Sequence, residues 1–177
     1  GVLLSCLLFR ELQKIKTHYS YRLVLIPETI GAIAWLHQNN SKISNIKGGF
    51  VVSCVAGPDV LGYKETYLKD HDIDKAVKYA LRNEDFYKKY KFEPIGSDER
   101  QYSSPAFRIP MGTITKSKYY EYDEYHTSLD NLEFISASSL EKTLKTYLKS
   151  IFYLDNNLLY KRKFDECEFM LSKLDNI

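Results

Sequence analysis

Three short stretches of this sequence hold the residue types that hydrolytic metal sites use. They are PETIG at 27–31, GSDER at 96–100 and YHTSLD at 125–130. Each sets a carboxylate or an imidazole beside turn-forming residues, after or between apolar runs that are typical of strands. A carboxylate, an acidic pair and one histidine at strand ends can bind zinc and move protons. Because ligands bind beyond the carboxyl ends of strands in open α/β sheets, the stretches predict one shared site.

Each of these residues also has an ordinary structural role open to it. Glu28 could be a first-turn acid that favours the dipole of the following helix. Asp98 could bond its own backbone in a turn, as aspartate often does after Gly-Ser. His126 could be a surface histidine, although Asp130 could accept the second N–H of a metal-bound imidazole. Residue type and spacing alone leave both interpretations open.

The elements that must position these stretches are predicted from apolar periodicity. Helical spacing predicts helices over residues 2–16, 29–37, 72–82, 138–153 and 164–174. Short apolar runs predict strands over residues 21–26, 50–56, 92–95 and 107–114, and an edge strand over 60–67. Ser136 or Ser138 is the predicted N-cap of the fourth helix, with Glu141 at the capping-box position. Alternating strands and helices indicate one α/β domain over residues 1–177, a sandwich built on a mixed sheet.

Charge, cysteine content and hydropathy exclude several classes of protein. A formal net charge of +2 and scattered tyrosines do not favour a nucleic-acid partner. Cys6, Cys54 and Cys167 are odd in number and far apart, so neither a disulfide framework nor a zinc finger is expected. No apolar run approaches the roughly 20 residues of a membrane span. The sequence therefore predicts a reduced, cytoplasmic protein without a membrane partner.

Four strings in a fixed order resemble a known family. They are LIPETIGAIA at 25–34, GFVV at 49–52, PIGSDERQY at 94–102 and EYHTSLDNL at 124–132. Together they resemble the bacterial aminopeptidase-like domain that is often encoded with polysaccharide-biosynthesis genes, a branch of the zinc aminopeptidase superfamily with the phosphorylase/hydrolase-like fold. This resemblance implies a three-layer sandwich with a mixed, mostly parallel central sheet. It also implies N-terminal truncation, because the family's upstream His and Asp ligands would precede Gly1.

The resemblance implies roles for individual residues. Glu28 matches the general base of the superfamily's Glu-Glu pair, whereas Thr29 stands where that pair supplies a zinc ligand. A neutral hydroxyl binds zinc poorly. His126 matches the last histidine ligand, Cys54 stands where the superfamily has a liganding aspartate, and Asp98 matches a positioning aspartate. The other residues expected to line or position the site are Glu99, Tyr125 and Asp130.

Two functions follow from the resemblance. The first is a zinc-dependent aminopeptidase-like hydrolase of peptide or amide bonds, with metal-activated water and Glu28 as general base. One zinc ion is expected rather than two, held with residues upstream of Gly1, so the fragment alone would be inactive. The alternative is a non-catalytic binding module in polysaccharide biosynthesis, which Thr29 and Cys54 favour. The expected substrate is a peptide or an aminoacylated or glycan-linked small molecule.

Overall fold

The computed structural model describes residues 1–93 and 96–157. In chain order, these residues form α1 (Val2–Leu12), α2 (Ile30–Gln38), a 3₁₀ helix (Asn40–Asn45), β1 (Gly49–Phe50), β2 (Gly62–Lys64), α3 (Asp72–Ala80), β3 (Lys88–Tyr90), α4 (Glu99–Tyr102), β4 (Met111–Thr115) and α5 (Ala137–Asn156). The predicted helix over 164–174 lies outside the described residues, as do Cys167 and the last two residues of the predicted strand over 92–95.

The four strands form one mixed sheet in the order β1-β4-β2-β3. β1 is parallel to β4 and β3 is parallel to β2, whereas β2 and β4 are antiparallel. Two of the three pairings are therefore parallel, which confirms the predicted mixed, mostly parallel sheet. Because β1 and β4 are parallel, their carboxyl ends lie at the same end of the sheet. The segments that follow them therefore begin close together.

Helices cover both faces of this sheet and enclose two apolar cores. On one face, α1, α3 and α5 pack against the sheet around Ile114 and Tyr147. On the other face, α2 packs with Tyr102 of α4 against Met111. Met111 and Ile114 lie three positions apart on β4, so their side chains point to opposite faces. The order of layers is therefore helix, sheet, helix, as predicted for a three-layer sandwich.

The helix α5 shows how local sequence sets an element. It begins after Ser136, whose Oγ accepts a hydrogen bond from the Ser139 N–H at 3.1 Å. Ser136 is thus the cap, one of the two predicted, but Glu141 is not in the capping-box position and pairs with Lys145 at 2.7 Å. Although α5 has 20 residues, neither it nor any other helix in the described ranges is both long and apolar enough to cross a membrane.

The predicted strand over 21–26 is wrong, because this segment is fixed by side chains instead of a ladder. The Asp155 carboxylate of α5 accepts hydrogen bonds from the His18 and Tyr19 N–H groups and from the Tyr21 hydroxyl, all at 2.9–3.0 Å. No residue of 21–26 is fully buried, and only Tyr21 and Ile26 pack against the two cores, so this apolar run before a proline gives packing contacts without strand pairing.

The remaining strand predictions need smaller corrections. The run over 50–56 contributes only Phe50 to β1. Further along it, Cys54 has a φ of +51°, which an extended strand does not allow. The predicted edge strand over 60–67 holds β2, which lies between β4 and β3. The edge strand next to β2 is β3 (Lys88–Tyr90), which lies just before the strand predicted over 92–95.

Candidate functional site

The three stretches with candidate chemistry meet at one cleft of about 800 Å³. Its walls are the loop before α2, residues 53–57 after β1, residues 96–97 and the loop after β4. It therefore lies beside the segments that follow the parallel strands β1 and β4, where α/β sheets bind ligands. Asp98 and Glu99 lie behind this lining. The predicted site residues that line the cleft are Glu28, Cys54, Tyr125, His126 and Asp130.

Glu28 begins a strained turn at the start of α2. Thr29 has a φ of +62° and a ψ of −69°, and the Ile30 N–H donates to the Glu28 carbonyl at 2.7 Å. These values define the rare positive-φ class of γ-turn, which is unusual for a β-branched residue. The Asp98 carboxylate holds this turn, because its Oδ1 accepts the Thr29 N–H at 2.7 Å.

The Glu28 carboxylate is exposed and is tethered by one oxygen. Ser97 Oγ donates to Glu28 Oε1 at 2.5 Å. Glu28 Oε2 has no hydrogen-bond partner in residues 1–93 and 96–157. Because Glu28 lines the cleft, this second oxygen is available to water or to a ligand.

Asp98 lies close to two other carboxylates. Burial raises the pKa of Asp98, and the Thr29 N–H partly offsets this effect. The negative charges of Glu28 and Glu99 add to the increase. Desolvation and like charges both disfavour the ionised carboxylate, so the three acids form an electrostatically linked group.

A buried polar cluster at the cleft joins β2, α4 and the loop after β4, and its member Tyr119 also lines the cleft. Lys64 of β2 is 2% exposed and Glu99 of α4 is 1% exposed, and Lys64 Nζ lies 2.7 Å from Glu99 Oε1. The Tyr119 hydroxyl accepts from Lys64 Nζ at 2.7 Å and donates to Glu99 Oε1 at 2.9 Å. The Ser97 N–H donates to the same oxygen at 3.2 Å. We call Lys64, Glu99 and Tyr119 the buried triad.

The buried triad explains why residue 96 is glycine. A Cβ at this position would collide with Glu99 Oε1 and would lie 2.6 Å from Lys64 Nζ and 2.9 Å from the Tyr119 hydroxyl. Sequence reasoning missed Lys64 and Tyr119. The available signal was a lysine inside the apolar run around β2, because a buried lysine requires a partner.

The opposite wall contains a second polar group around Tyr122. Its hydroxyl lies 3.6 Å from Cys54 Sγ and donates to Asp130 Oδ2 at 3.4 Å. Burial, followed by contact with Cys54 and Asp130, raises the pKa of Tyr122. Asp130 therefore interacts with Tyr122, and no hydrogen bond joins it to His126 within the described residues.

His126 is exposed at the cleft and has a φ of +59°. Its ring stacks on Tyr125 with centroids 4.0 Å apart and planes at 14°. Burial, together with nearby Tyr120 and Cys54, raises the pKa of Tyr125 to about 12. The imidazole is therefore oriented by stacking and has no hydrogen bond to a described residue that would occupy its nitrogens.

The donor set of the cleft is incomplete for a zinc centre. In residues 1–93 and 96–157, no three His, Cys, Asp or Glu side chains come together as a group that could hold a metal ion. A catalytic zinc site uses about three protein ligands and keeps an open position for water. The described residues alone do not fit such an ion.

Comparison with known proteins gives close relatives. A family model described as "Domain of unknown function (DUF4910)" matches residues 1–157. A Clostridium acetobutylicum protein named "Putative polysaccharide biosynthesis protein with aminopeptidase-like domain" is 42% identical over 175 residues, which are 98% of this chain and 40% of that protein. The crystal structure of a "putative peptidase" from the same organism has a TM-score of 0.87 at 42% identity, with coverage of 98% and 41%. The chain spans about two fifths of the length of these relatives.

More distant solved structures share the fold. An aminopeptidase from Aneurinibacillus sp. strain AM-1 has a TM-score of 0.71 at 21% identity and covers 88% of this chain and 38% of its own. A zinc aminopeptidase from Bacillus subtilis has a TM-score of 0.71 at 14% identity, with coverage of 85% and 39%. At these identities the likeness establishes an α/β fold shared with zinc aminopeptidases.

Proposed function

The chain belongs to the family described as "Domain of unknown function (DUF4910)", and from that premise we propose that it carries the general base of an aminopeptidase-like hydrolase of peptide or amide bonds. The observation that carries this proposal is the Glu28 carboxylate, which lines the cleft with one oxygen tethered by Ser97. The likeness of the fold to aminopeptidases supports the same class. Because the chain spans about two fifths of its relatives, the activity is proposed for a polypeptide of their length.

Glu28 is the proposed general base of this reaction. A base must reach the proton it takes, directly or through one water. Ser97 fixes Oε1, so Oε2 is the oxygen that would accept a proton from a water in the cleft. That water would form the new C–O bond as the C–N bond breaks, and Glu28 would return the proton to the leaving amine. Asp98 supports this step by holding the Thr29 turn beside the base.

His126 and Cys54 are the proposed metal ligands of this chain, for one zinc ion. Their side chains line the same cleft as Glu28. Zinc, when bound, supplies a Lewis acid and lowers the pKa of its water. Since the described residues do not complete a set of three donors, the remaining ligands are proposed to lie outside them.

The proposed substrate is a peptide, or an aminoacylated or glycan-linked small molecule. The cleft volume of about 800 Å³ lies within the range of small-molecule sites. Tyr120, Tyr122 and Tyr125 line the cleft and offer flat apolar rings that carry hydroxyl groups. Such rings suit amino-acid side chains and sugar faces alike.

A second function is a non-catalytic module that binds its ligand in polysaccharide biosynthesis. The observation that favours it is the chemistry of two positions. Thr29 offers a neutral hydroxyl, and Cys54 Sγ already contacts the Tyr122 hydroxyl at 3.6 Å. If these two positions do not bind zinc, the cleft could still bind a ligand without hydrolysing it. The name of the Clostridium relative is consistent with this role.

Metal content and hydrolysis separate the two functions. The full polypeptide that carries this sequence would be purified without chelators, and its zinc would be measured by elemental analysis. Hydrolysis of an aminoacyl p-nitroanilide would be followed with and without added zinc. Glu28→Gln is expected to keep the zinc and to lose hydrolysis by about a hundredfold or more. Glu141→Gln, on the exposed surface of α5, is the matched control and should keep both.

One result would contradict the hydrolase, and another would contradict only the role of Glu28. A polypeptide without zinc that gains no activity when zinc is added supports the binding module instead. Zinc-dependent hydrolysis that is unchanged in Glu28→Gln would keep the reaction class but remove Glu28 from the role of base.

A further inference from the structure

We propose that the buried triad of Lys64, Glu99 and Tyr119 is a positioning group that sets the orientation of the Glu28 carboxylate through Ser97. The inference rests on the proposed role of Glu28 for its meaning, but it concerns the geometry of Glu28 and can be tested without hydrolysis. None of the three triad residues contacts Glu28 itself through a hydrogen bond of the described structure.

The triad concentrates its donors on one oxygen. Glu99 Oε1 accepts from Lys64 Nζ, from the Tyr119 hydroxyl and from the Ser97 N–H, at 2.7, 2.9 and 3.2 Å. Glu99 Oε2 is buried and has no hydrogen-bond partner within the described residues. Leaving a buried polar atom unpaired is unfavourable, so its occurrence in a folded protein calls for an explanation. All three donors therefore hold Glu99 Oε1 next to the Ser97 N–H, while Glu99 Oε2 is left without a hydrogen bond in the described residues.

Ser97 transmits this fixed position to Glu28. Its N–H is bound to Glu99 below the cleft, while its Oγ donates to Glu28 Oε1 at 2.5 Å in the cleft wall. Glu99 thus holds the backbone of Ser97, and the Ser97 hydroxyl in turn holds the Glu28 carboxylate. A shift of Glu99 would move Ser97, and with it the hydrogen bond that selects which Glu28 oxygen is free.

A second link runs through the next residue. Asp98 lies between Ser97 and Glu99 in the sequence and accepts the Thr29 N–H at 2.7 Å. The triad therefore anchors the one segment that holds both the Glu28 side chain and the turn behind it. Gly96 allows this segment to approach the triad, since any larger residue would meet Glu99 and Lys64.

A buried ion pair that serves only stability would give a different pattern. Its weakening would lower the stability of the whole domain without a specific effect at Glu28. A positioning group instead predicts that changes at Tyr119 and at Ser97 act on Glu28 by the same route. Effects that share one route are not additive, and a double-mutant cycle measures this property.

The test uses the ¹³Cδ resonance of Glu28 in the isotope-labelled chain. Tyr119→Phe removes one hydroxyl from the triad and keeps the ring, and Ser97→Ala removes the direct donor to Glu28. Tyr119→Phe is expected to shift the Glu28 resonance in the same direction as Ser97→Ala. The double variant is expected to show the shift of Ser97→Ala alone. Tyr120→Phe is the matched control, because Tyr120 lines the cleft without a hydrogen bond to Glu99.

The outcomes are distinct. An unmoved Glu28 resonance in Tyr119→Phe, or additive shifts in the double variant, would overturn the proposal. Glu99→Gln is a second variant with the same expectation, for use if Tyr119→Phe alters folding. In the full polypeptide, Tyr119→Phe is further expected to lower kcat by about tenfold or more at unchanged KM. If the resonance shifts as expected while Glu28→Gln keeps full hydrolysis, the positioning of Glu28 stands and its role as base fails.

Discussion

Replacing Lys64 by methionine would place an unpaired charge in the interior. Lys64 and Glu99 are 2% and 1% exposed and lie 2.7 Å apart, and methionine keeps the apolar length of lysine without its charge. Removing one partner of a buried ion pair costs about 3–5 kcal/mol, because the other charge is left without compensation. Tyr119 and Ser97 still donate to Glu99 in the variant. We therefore expect the lower end of this range, about 3 kcal/mol.

The free energy of unfolding can be measured by urea titration followed by far-UV circular dichroism. With a slope of about 2 kcal/mol per molar urea, a loss of about 3 kcal/mol lowers the midpoint by about 1.5 M. Lys145→Met is the matched control. It breaks an ion pair of the same 2.7 Å length with Glu141, but these side chains are 64% and 63% exposed. Exposed pairs contribute little, so this midpoint should scarcely move.

A double-mutant cycle decides whether the loss comes from the unpaired charge. Lys64→Met/Glu99→Gln removes both charges and should regain part of the stability that Lys64→Met loses, since no buried ion is then uncompensated. If Lys64→Met unfolds at the same urea concentration as Lys145→Met, the pair is not buried as described. If the double variant is less stable than Lys64→Met, the cost does not come from the stranded Glu99 charge.

Two further outcomes concern the neighbours of this pair. Gly96→Ala is expected to lower the Tm, at a cost of about 1–3 kcal/mol for overpacking, because its Cβ would collide with Glu99 Oε1; an unchanged Tm would contradict this crowding. Glu28→Gln is expected to lower the pKa of Asp98 in a ¹³C-detected titration, because burial and then the Glu28 charge raise it. The folded-state pKa of Asp98 lies above the unfolded value, so its contribution to stability is present below the unfolded pKa and is lost as pH rises through the folded pKa. Glu28→Gln should therefore lose less stability across this pH window, and an unchanged Asp98 pKa would show that Glu28 is not electrostatically linked to it.

The helices could be predicted from the sequence and the strands only in part. α3 and α5 were predicted at nearly their observed bounds, because a helix of nine to 20 residues repeats its apolar spacing several times. The strands hold only two to five residues, and so short a run shows no period. The segment over 21–26 illustrates the limit. Its anchor is Asp155, more than 130 residues later in the chain, which no local pattern reveals.

The residues of the candidate site also differ in whether a local sequence pattern indicates them. Glu28 and His126 stand in recognisable strings, and Cys54 is assigned to the same site from the resemblance. All three line one cleft, while their roles stay predictions. Lys64 and Tyr119 could not be predicted in this way, since their importance depends on Glu99, which is 35 residues from one and 20 from the other. Residues in a recognisable string can be predicted locally, whereas residues that act through a distant partner depend on how elements far apart in the sequence pack together.

Backbone strain is concentrated in the wall of the cleft. Six non-glycine residues in the described parts of the chain have a positive φ, and four of them line the cleft: Thr29, Cys54, Tyr120 and His126. Each such conformation costs about 1–3 kcal/mol and persists only where the surroundings hold it. Asp98 holds Thr29, and the Lys116 N–H holds the Cys54 carbonyl at 2.8 Å. Glycine would relieve this cost at every one of these positions. Strained conformations of non-glycine residues cluster at active sites and ligand clamps, so their concentration in this cleft supports the function proposed for it.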